Sequence, residues 1–251
     1  MSKILYLVPG VGMPEEEKKR REKLANSFLT QEKNRVFVEA VDEGPISIES
    51  SIEEFMSVGG TLKKLVEVQG QYDAVVIGCA GDPGLAPARE LADIPIIAPF
   101  EASISVASML GDKFSIVTIL DSIVPAIWRT LRDYDVDHKC ASVRVINFNV
   151  LDMIGNREKV ARAFLKEAKS VAGKDGASSI ILGCMTMAFL LVDEAVKDRI
   201  GIPIVNPAKV SIKTAEMLIS LGLKQSRATY PKPNTEKLRN SIFPNMKIGG
   251  K

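Results

Sequence analysis

The sequence predicts an α/β protein made of two similar Rossmann-like halves. Each half is a four-stranded parallel sheet flanked by helices, and a pseudo-twofold relates the two, with the active site in the cleft between them. Three observations predict this. Continuous Val/Ile runs alternate with helical patterns along the chain, as parallel strands covered on both faces require. The stretch IPIIAPFEASISVASML (Ile94 to Leu110) matches IPIVNPAKVSIKTAEML (Ile202 to Leu218) at nine of seventeen positions, which points to a duplication. A Gly-Cys pair ends an apolar run twice, at Gly78-Cys79 and at Gly183-Cys184.

In chain order, KILYLV (Lys3 to Val8) reads as a first strand rather than a signal peptide, because Pro9-Gly10 cuts the apolar run short. Pro14 opens a charged helix to about Leu29. Its KKRRE run (Lys18 to Glu22) follows Glu15-Glu16-Glu17, an order that suits the helix dipole, and reads as a solvated face. RVFVEAV (Arg35 to Val41) is the second strand, and a helical region follows that Gly59-Gly60 is expected to break. AVVIGC (Ala74 to Cys79) is the third strand. Asp82 reads as the N-cap and Pro83 as the first turn of a helix running to Leu91. IPIIAP (Ile94 to Pro99) closes the first set. FSIVTIL (Phe114 to Leu120), SVRVINF (Ser142 to Phe148), SIILGC (Ser179 to Cys184) and IPIVNP (Ile202 to Pro207) repeat the order. The helix from Arg157 is expected to stop at Gly173. Residues 1–99 with about 208–251 form the expected first half and about 100–207 the second, the segments after Pro99 and Pro207 crossing between them.

Composition narrows the function. A net charge of +2 carries no basic field of the kind that nucleic acid requires. No apolar run reaches the ~20 residues of a membrane span. Three cysteines and one histidine provide neither a disulfide framework nor zinc-ligand spacing, so no metal is expected and a reducing, cytoplasmic setting is. His138 precedes a strand and reads as a surface-loop residue, and Cys140 reads as structural.

The repeated cysteines are the chemical signal. In open parallel sheets ligands bind beyond the carboxyl ends of strands, and Cys79 and Cys184 both end the third strand of their half. A lone buried cysteine is usually a small hydrophobe; equivalent placement in two copies argues otherwise. Inverting a stereocentre takes a proton off one face of a carbon and returns one to the other, which requires two acid/base groups. A thiol with a pKa of about 8.5 serves in either role. A helix start beside each sulfur would favour its thiolate, with Thr186 a candidate cap for the second helix. The exposed amides of Ala80, Gly81, Met185 and Thr186 are candidate oxyanion and substrate donors. Thr118, at a strand end, reads either as a ligand contact or as a satisfied hydroxyl. A non-catalytic two-lobed binder of small molecules is the reading from another class, and binding alone does not require the two thiols.

At these residues the chain resembles the Asp/Glu/hydantoin racemase superfamily, specifically its hydantoin racemase branch. GPISIES (Gly44 to Ser50), GCAGDPGLAPARE (Gly78 to Glu90), CASVRVINFNVLDM (Cys140 to Met153) and LGCMTMA (Leu182 to Ala188) carry the resemblance. It implies that Cys79 and Cys184 are the catalytic pair, that no cofactor is used, and that the protein is a homo-oligomer. It also implies that Ile46 and Ser47, in the GPISIES loop, line the cleft, while Glu49 and Ser50 start the next helix. The superfamily's amino-acid racemases usually follow the first cysteine with Asn-Thr; here Ala80-Gly81 follows. That favours a neutral cyclic diamide, a 5-substituted hydantoin or the related allantoin, over a zwitterionic aspartate or glutamate. Where the branch commonly has Asn-Pro-Asn after the first strand, this chain has Val8-Pro9-Gly10, so that edge of the cleft lacks two polar side chains.

Overall fold

The structure, a computed structural model, describes residues 1–243 of the 251. The apolar runs form the strands they predict. β1 (Lys3–Val8), β2 (Arg35–Ala40), β3 (Ala74–Ile77) and β4 (Ile96–Ile97) make one parallel sheet in the order β2-β1-β3-β4. β5 (Phe114–Thr118), β6 (Cys140–Val145), β7 (Ser179–Leu182) and β8 (Ile204–Val205) make a second in the order β6-β5-β7-β8. The topology is the same in both, so the duplication read from the sequence is also a duplication of architecture.

Because side chains alternate across a strand, each sheet buries two apolar faces. Ile4, Tyr6 and Val8 of β1 join a core cluster that continues through Val117, Ile180 and Leu182 of the second sheet. Leu5 and Leu7 point the other way and pack with Val75, Ile77 and Ile96. Ile116 and Ile181 face a third cluster with Phe100 and Ile104. One core therefore ties the two sheets together, at roughly 1.5–3 kcal/mol for each fully buried Val, Leu or Ile.

The helices are α1 (Glu15–Ser27), α2 (Ser51–Glu67), α3 (Leu85–Leu91), α4 (Pro99–Leu110), α5 (Val124–Asp133), α6 (Arg157–Ser170), α7 (Met185–Phe189), α8 (Val192–Val196), α9 (Pro207–Leu221) and α10 (Thr235–Ser241). Ser50 caps α2 by accepting from the Glu53 amide, and the Glu53 carboxylate accepts from the Ser50 hydroxyl and the Glu49 amide. The expected break at Gly59-Gly60 does not occur. α2 runs straight through, because a side chain at Gly60 would lie 2.0 Å from the Glu43 carbonyl oxygen. The glycine allows close packing and does not end the helix. The stop expected at Gly173 also moves: α6 continues into a wide π turn over Val171–Asp175 and ends at Gly176, whose φ of 71° lies in the left-handed region glycine favours.

The two helices of the repeated segment cross over. α4 packs on β7 and β8 of the second sheet, and α9 packs on β1, β3 and β4 of the first. α4 and α9 also pack on each other. The last part of the expected first half, 244–251, lies outside the described residues. Among the described residues no helix is long and apolar enough to cross a membrane.

Candidate active site

The cleft forms where each sheet reverses its strand order. In the first sheet that point lies between β1 and β3, in the second between β5 and β7, and ligand crevices open at such points. The Gly78 amide extends the ladder by donating to the Leu7 carbonyl at 2.7 Å, and the Gly183 amide does the same to Val117 at 2.8 Å. Each glycine's own carbonyl is then tied down by a hydroxyl from the adjacent strand. Tyr6 donates to Gly78 O and Thr118 Oγ1 to Gly183 O, both at 3.2 Å. Thr118 is thus a fully buried brace under Gly183-Cys184, in keeping with the satisfied-hydroxyl reading of the two its sequence position allows.

The two cysteines leave their strands differently. Cys184 is itself the N-cap of α7, so Thr186 lies inside the first turn and does not cap it. After Cys79 the chain makes a loop, and α3 starts only at Leu85 behind a left-handed Gly84. Asp82 does not cap that helix. It turns back with a φ of 53°, and its carboxylate accepts from the Phe100 amide at 2.9 Å, the Glu101 amide at 2.8 Å and the Tyr134 hydroxyl at 2.9 Å. It therefore caps α4, whose own N-cap residue, Ala98, has no capping side chain. The matching position in the repeat is Asn206, which caps α9 with its own amide oxygen. The first half thus borrows a cap from the cysteine loop, fixing that loop to the helix that crosses the cleft. Burial raises the Asp82 carboxyl to about 7, against the pull of those three donors.

Both cysteines line one cleft, whose empty space including its open mouth is about 950 Å³. Of the residues the sequence singles out, Ile46, Ser47, Ala80, Gly81, Met185 and Thr186 line it as well. Ile46 is 65% exposed and sits at the mouth. Ser47 donates to Glu49, whose carboxylate also accepts from the Val150 amide at 2.7 Å across the cleft, while its carbonyl accepts from Ser122. Glu49 therefore does more than start a helix: it joins the lobes at the rim. The wall from the second lobe is mostly apolar, with Ile119, Ile123, Ala126, Ile127, Leu151 and Ile154, and Thr130 adds one hydroxyl, which donates to Ala126 O. Val8 and Gly10, in place of the two asparagines, add no polar side chain. Cys140 starts β6 in a core cluster and His138 is exposed, both away from the cleft.

Two charged lining residues were not read from the sequence. Arg21 belongs to the run taken as a solvated face, yet it is only 2% exposed. The buried stripe of α1 is Glu17, Arg21 and Ala25, and the i,i+4 spacing of Glu17 and Arg21 was the available signal. Arg21 Nε donates to Glu17 Oε1 at 2.8 Å and Nη2 to Thr186 Oγ1 at 2.9 Å. Glu54, from α2, reaches the Cys79 side of the cleft beside Gly81. Burial raises its carboxyl pKa, which Arg129 partly offsets.

The sulfurs sit in different fields. Burial raises the Cys184 thiol, and the Met187 and Thr186 amides, the Arg21 guanidinium and the Thr186 hydroxyl draw it back down. Burial pushes Cys79 far above the ordinary thiol range. The Gly81 amide, 3.4 Å from its sulfur, opposes that, while the charges of Glu54, Cys184 and Asp82 carry it further up. Helix starts were expected to favour both thiolates. The structure corrects this: desolvation outweighs the amides at both sulfurs, and only Cys184 stands at a helix N-terminus. The Gly81 amide, read as an oxyanion donor, donates to the Cys79 sulfur. Among the described residues no group of three or more His, Cys, Asp or Glu is arranged to hold a metal ion.

Two matching α/β lobes close on one small cleft, and similarity to racemases in sequence and in fold makes the protein an isomerase of that class. The chain belongs to the Asp/Glu/hydantoin racemase family, whose model, described as Asp/Glu/Hydantoin racemase, matches residues 18–215. A hydantoin racemase of Rhizobium meliloti is 36% identical over 191 residues, 75% of this chain and 78% of that one. Among solved structures, an allantoin racemase of Pseudomonas fluorescens superposes with a TM-score of 0.85 at 27% identity, over 92% of this chain and 97% of that one. An allantoin racemase of Klebsiella pneumoniae gives 0.80 at 25% identity, over 93% and 94%.

Proposed function

We propose that this racemase inverts the C5 stereocentre of 5-substituted hydantoins, without a cofactor, by a two-base mechanism in which Cys79 and Cys184 are the bases. The observation that carries the reading is the pair of thiols, each following the third strand of its sheet, in one cleft with an apolar far wall. One cysteine, as thiolate, removes the C5 proton. The electron pair delocalises into the adjacent C4 carbonyl, and the second cysteine, as thiol, returns a proton to the opposite face of C5. One sulfur gains a proton and the other loses one, so the balance closes without oxidant or metal. The ring is a neutral diamide whose N–H and C=O groups pair with backbone, and the apolar wall suits an alkyl or aryl group at C5.

Allantoin is itself a hydantoin with a ureido group at C5, and the similarity to allantoin racemases supports it as a second substrate reading. The wall built on Ile119, Ile123 and Ile127 carries one hydroxyl, that of Thr130, which already donates to Ala126 O; it suits an alkyl group better than a ureido group, so the alkyl hydantoin stands first. An optically pure 5-alkylhydantoin, allantoin and L-glutamate, each incubated with enzyme and chelator, separate these readings by loss of rotation. The alkylhydantoin is expected to racemise fastest and glutamate not at all. Fastest turnover of allantoin would move the assignment to the second reading, and activity that disappears in chelator and returns with metal would reject the mechanism.

The reaction also has an expected pH dependence. The active form carries one thiolate and one thiol, and burial raises both groups above the ordinary thiol value. Below the first apparent pKa of the pair, each pH unit therefore raises the reactive fraction about tenfold. The value of kcat/KM is expected to climb from neutral into alkaline solution, after subtraction of spontaneous racemisation, and to fall only when the second proton leaves. A profile that is flat or descending above neutrality would exclude a thiolate base.

A further inference from the structure

α1 is a charged helix with a solvated outer face, and it nevertheless buries an ion pair against the base of the cleft. Arg21 is 2% exposed and Glu17 5%. Burying two charges costs more than their attraction returns unless each finds further partners. Arg21 has three: Glu17 Oε1, Thr186 Oγ1 and the face of the Phe189 ring, 5.1 Å from the guanidinium carbon. The direction of the second contact matters. A guanidinium only donates, so the Thr186 hydroxyl must be the acceptor, and its own proton is left to go elsewhere. No oxygen of the described residues takes that proton. The Cys184 sulfur stands two residues earlier, at the N-cap of the same helix, and the Arg21 charge and the Thr186 hydroxyl both favour its ionised form. The chain of contacts thus runs carboxylate, guanidinium, hydroxyl, and the cysteine at the N-cap of the same helix has that hydroxyl two residues on and a positive charge behind it. A sulfur at the end of such a chain is best satisfied as an anion.

Around Cys79 the sign is reversed. The carboxylate of Glu54 lies next to Gly81, within 3.4 to 3.6 Å of where a Cβ on that glycine would be, and makes no hydrogen bond with the described residues. The charged and titratable groups that face the two sulfurs are Arg21 for Cys184, Glu54 and Asp82 for Cys79, and Tyr6, which senses both sulfurs and Arg21. The Tyr6 phenol is itself fully buried and donates to Gly78 O, so it keeps its proton.

We propose that the Glu17–Arg21–Thr186 chain is a positioning device that makes Cys184 the sulfur to give up the first proton of the pair, while Glu54 keeps Cys79 a thiol. This deepens the two-base reading and rests on it for its catalytic meaning. It assigns the form in which the free enzyme meets substrate: Cys184 as the base and Cys79 as the acid. The enantiomer whose C5 hydrogen faces Cys184 is taken up directly, and the other requires the proton first to change sulfurs.

The test follows the ultraviolet absorbance of the thiolate against pH, without substrate, in a Cys140→Ala background. Cys79→Ser then reports Cys184, and Cys184→Ser reports Cys79. Cys184 is expected to titrate about one pH unit or more below Cys79. In the Cys79→Ser protein, Thr186→Val removes the donor and should raise the Cys184 midpoint, while Thr186→Ser keeps the hydroxyl and should restore it. Arg21→Met should raise it further. Thr186→Val leaves the Glu17–Arg21 pair whole, so the test survives if Arg21→Met fails to fold. In the Cys184→Ser protein, Glu54→Gln should lower the Cys79 midpoint. Cys79 titrating with or below Cys184, or equal Cys184 midpoints in Thr186→Val and Thr186→Ser, would overturn the proposal. A protein that titrates as expected yet racemises no hydantoin would refute the proposed reaction and leave the assignment of the first proton standing.

Discussion

Cys79→Ser and Cys184→Ser are each expected to lose racemisation by about a thousandfold or more, since positioned acid/base groups contribute roughly 10²–10⁴. In heavy water each is also expected to exchange the C5 hydrogen of one enantiomer with retention of configuration, and the enantiomer is expected to differ between them. The reasoning is stereochemical. A sulfur on one face of C5 meets the hydrogen of only one hand. With its partner reduced to a weakly acidic hydroxyl, it can remove that proton and return a deuteron to the same face, but nothing returns one to the other face. A serine hydroxyl is too weak a base and acid near neutral pH to replace the missing thiol. The measurement is deuterium content and optical rotation for each enantiomer with each variant, less the spontaneous exchange of the ring. If both variants label the same enantiomer, the sulfurs do not stand on opposite faces. If either variant racemises at the parent rate, that cysteine is not a base. The titration of the surviving thiols adds a ranking: Cys79→Ser retains the sulfur that ionises first and is expected to exchange faster near neutrality.

What could be read from the sequence, and what could not, follows from which interactions are local. The strands were legible as apolar runs, most clearly the inner ones such as β1, whose two faces are both buried, as Ile4 and Leu5 show by entering different clusters; the edge strands β2 and β6 carry Arg and Glu or Ser and are only partly buried. The cysteine pair was legible because the duplication marks one position twice. Three features were misread where a local rule met a tertiary one. Asp82 followed by Pro83 has the local form of a cap for the next helix, yet its carboxylate goes to Phe100 and Glu101, because Ala98 leaves α4 without a cap of its own. Gly59-Gly60 has the form of a helix break, yet Gly60 is where α2 touches the Glu43 backbone. Lys18 to Glu22 has the form of a solvated face, and most of it is one. A polar stripe of Glu17, Arg21 and Ala25 carries no hydrophobic signal, so nothing in periodicity alone separates it from the exposed charges around it. The unseen residues, Arg21 and Glu54, come from helices that their own sequence does not tie to a site.

The glycines before the cysteines carry the second large expected effect. Gly78→Ala would place a Cβ 2.8 Å from both the Leu7 carbonyl oxygen and the Tyr6 ring. Gly183→Ala would place one 2.8 Å from Thr118 Cβ and 2.9 Å from Ile116 Cγ2. Neither glycine has a positive φ, so backbone conformation does not demand it; the close approach of the neighbouring strand does. That strand cannot yield cheaply. Leu7 is paired on both sides within its sheet, and Thr118 holds the carbonyl of Gly183 itself. The added methyl must therefore move the substituted residue, and the cysteine moves with it. Overpacking of this kind costs about 1–3 kcal/mol of stability. A displacement on the order of 1 Å at a reacting group lowers the rate about a hundredfold. Both variants are expected to melt lower than the parent and to lose racemisation by about that factor at temperatures where they remain folded. Gly59→Ala is the control, since nothing lies within 4 Å of its added methyl and it sits inside α2. It is expected to raise stability by about 0.5–1 kcal/mol, the ordinary gain of alanine over glycine in a helix, and to leave the rate unchanged. Thermal melts and initial rates on the three proteins decide the matter. Parent-like rates in folded Gly78→Ala and Gly183→Ala would mean that the sulfurs tolerate displacement, and that their fixed placement at the strand ends is not what the reaction depends on.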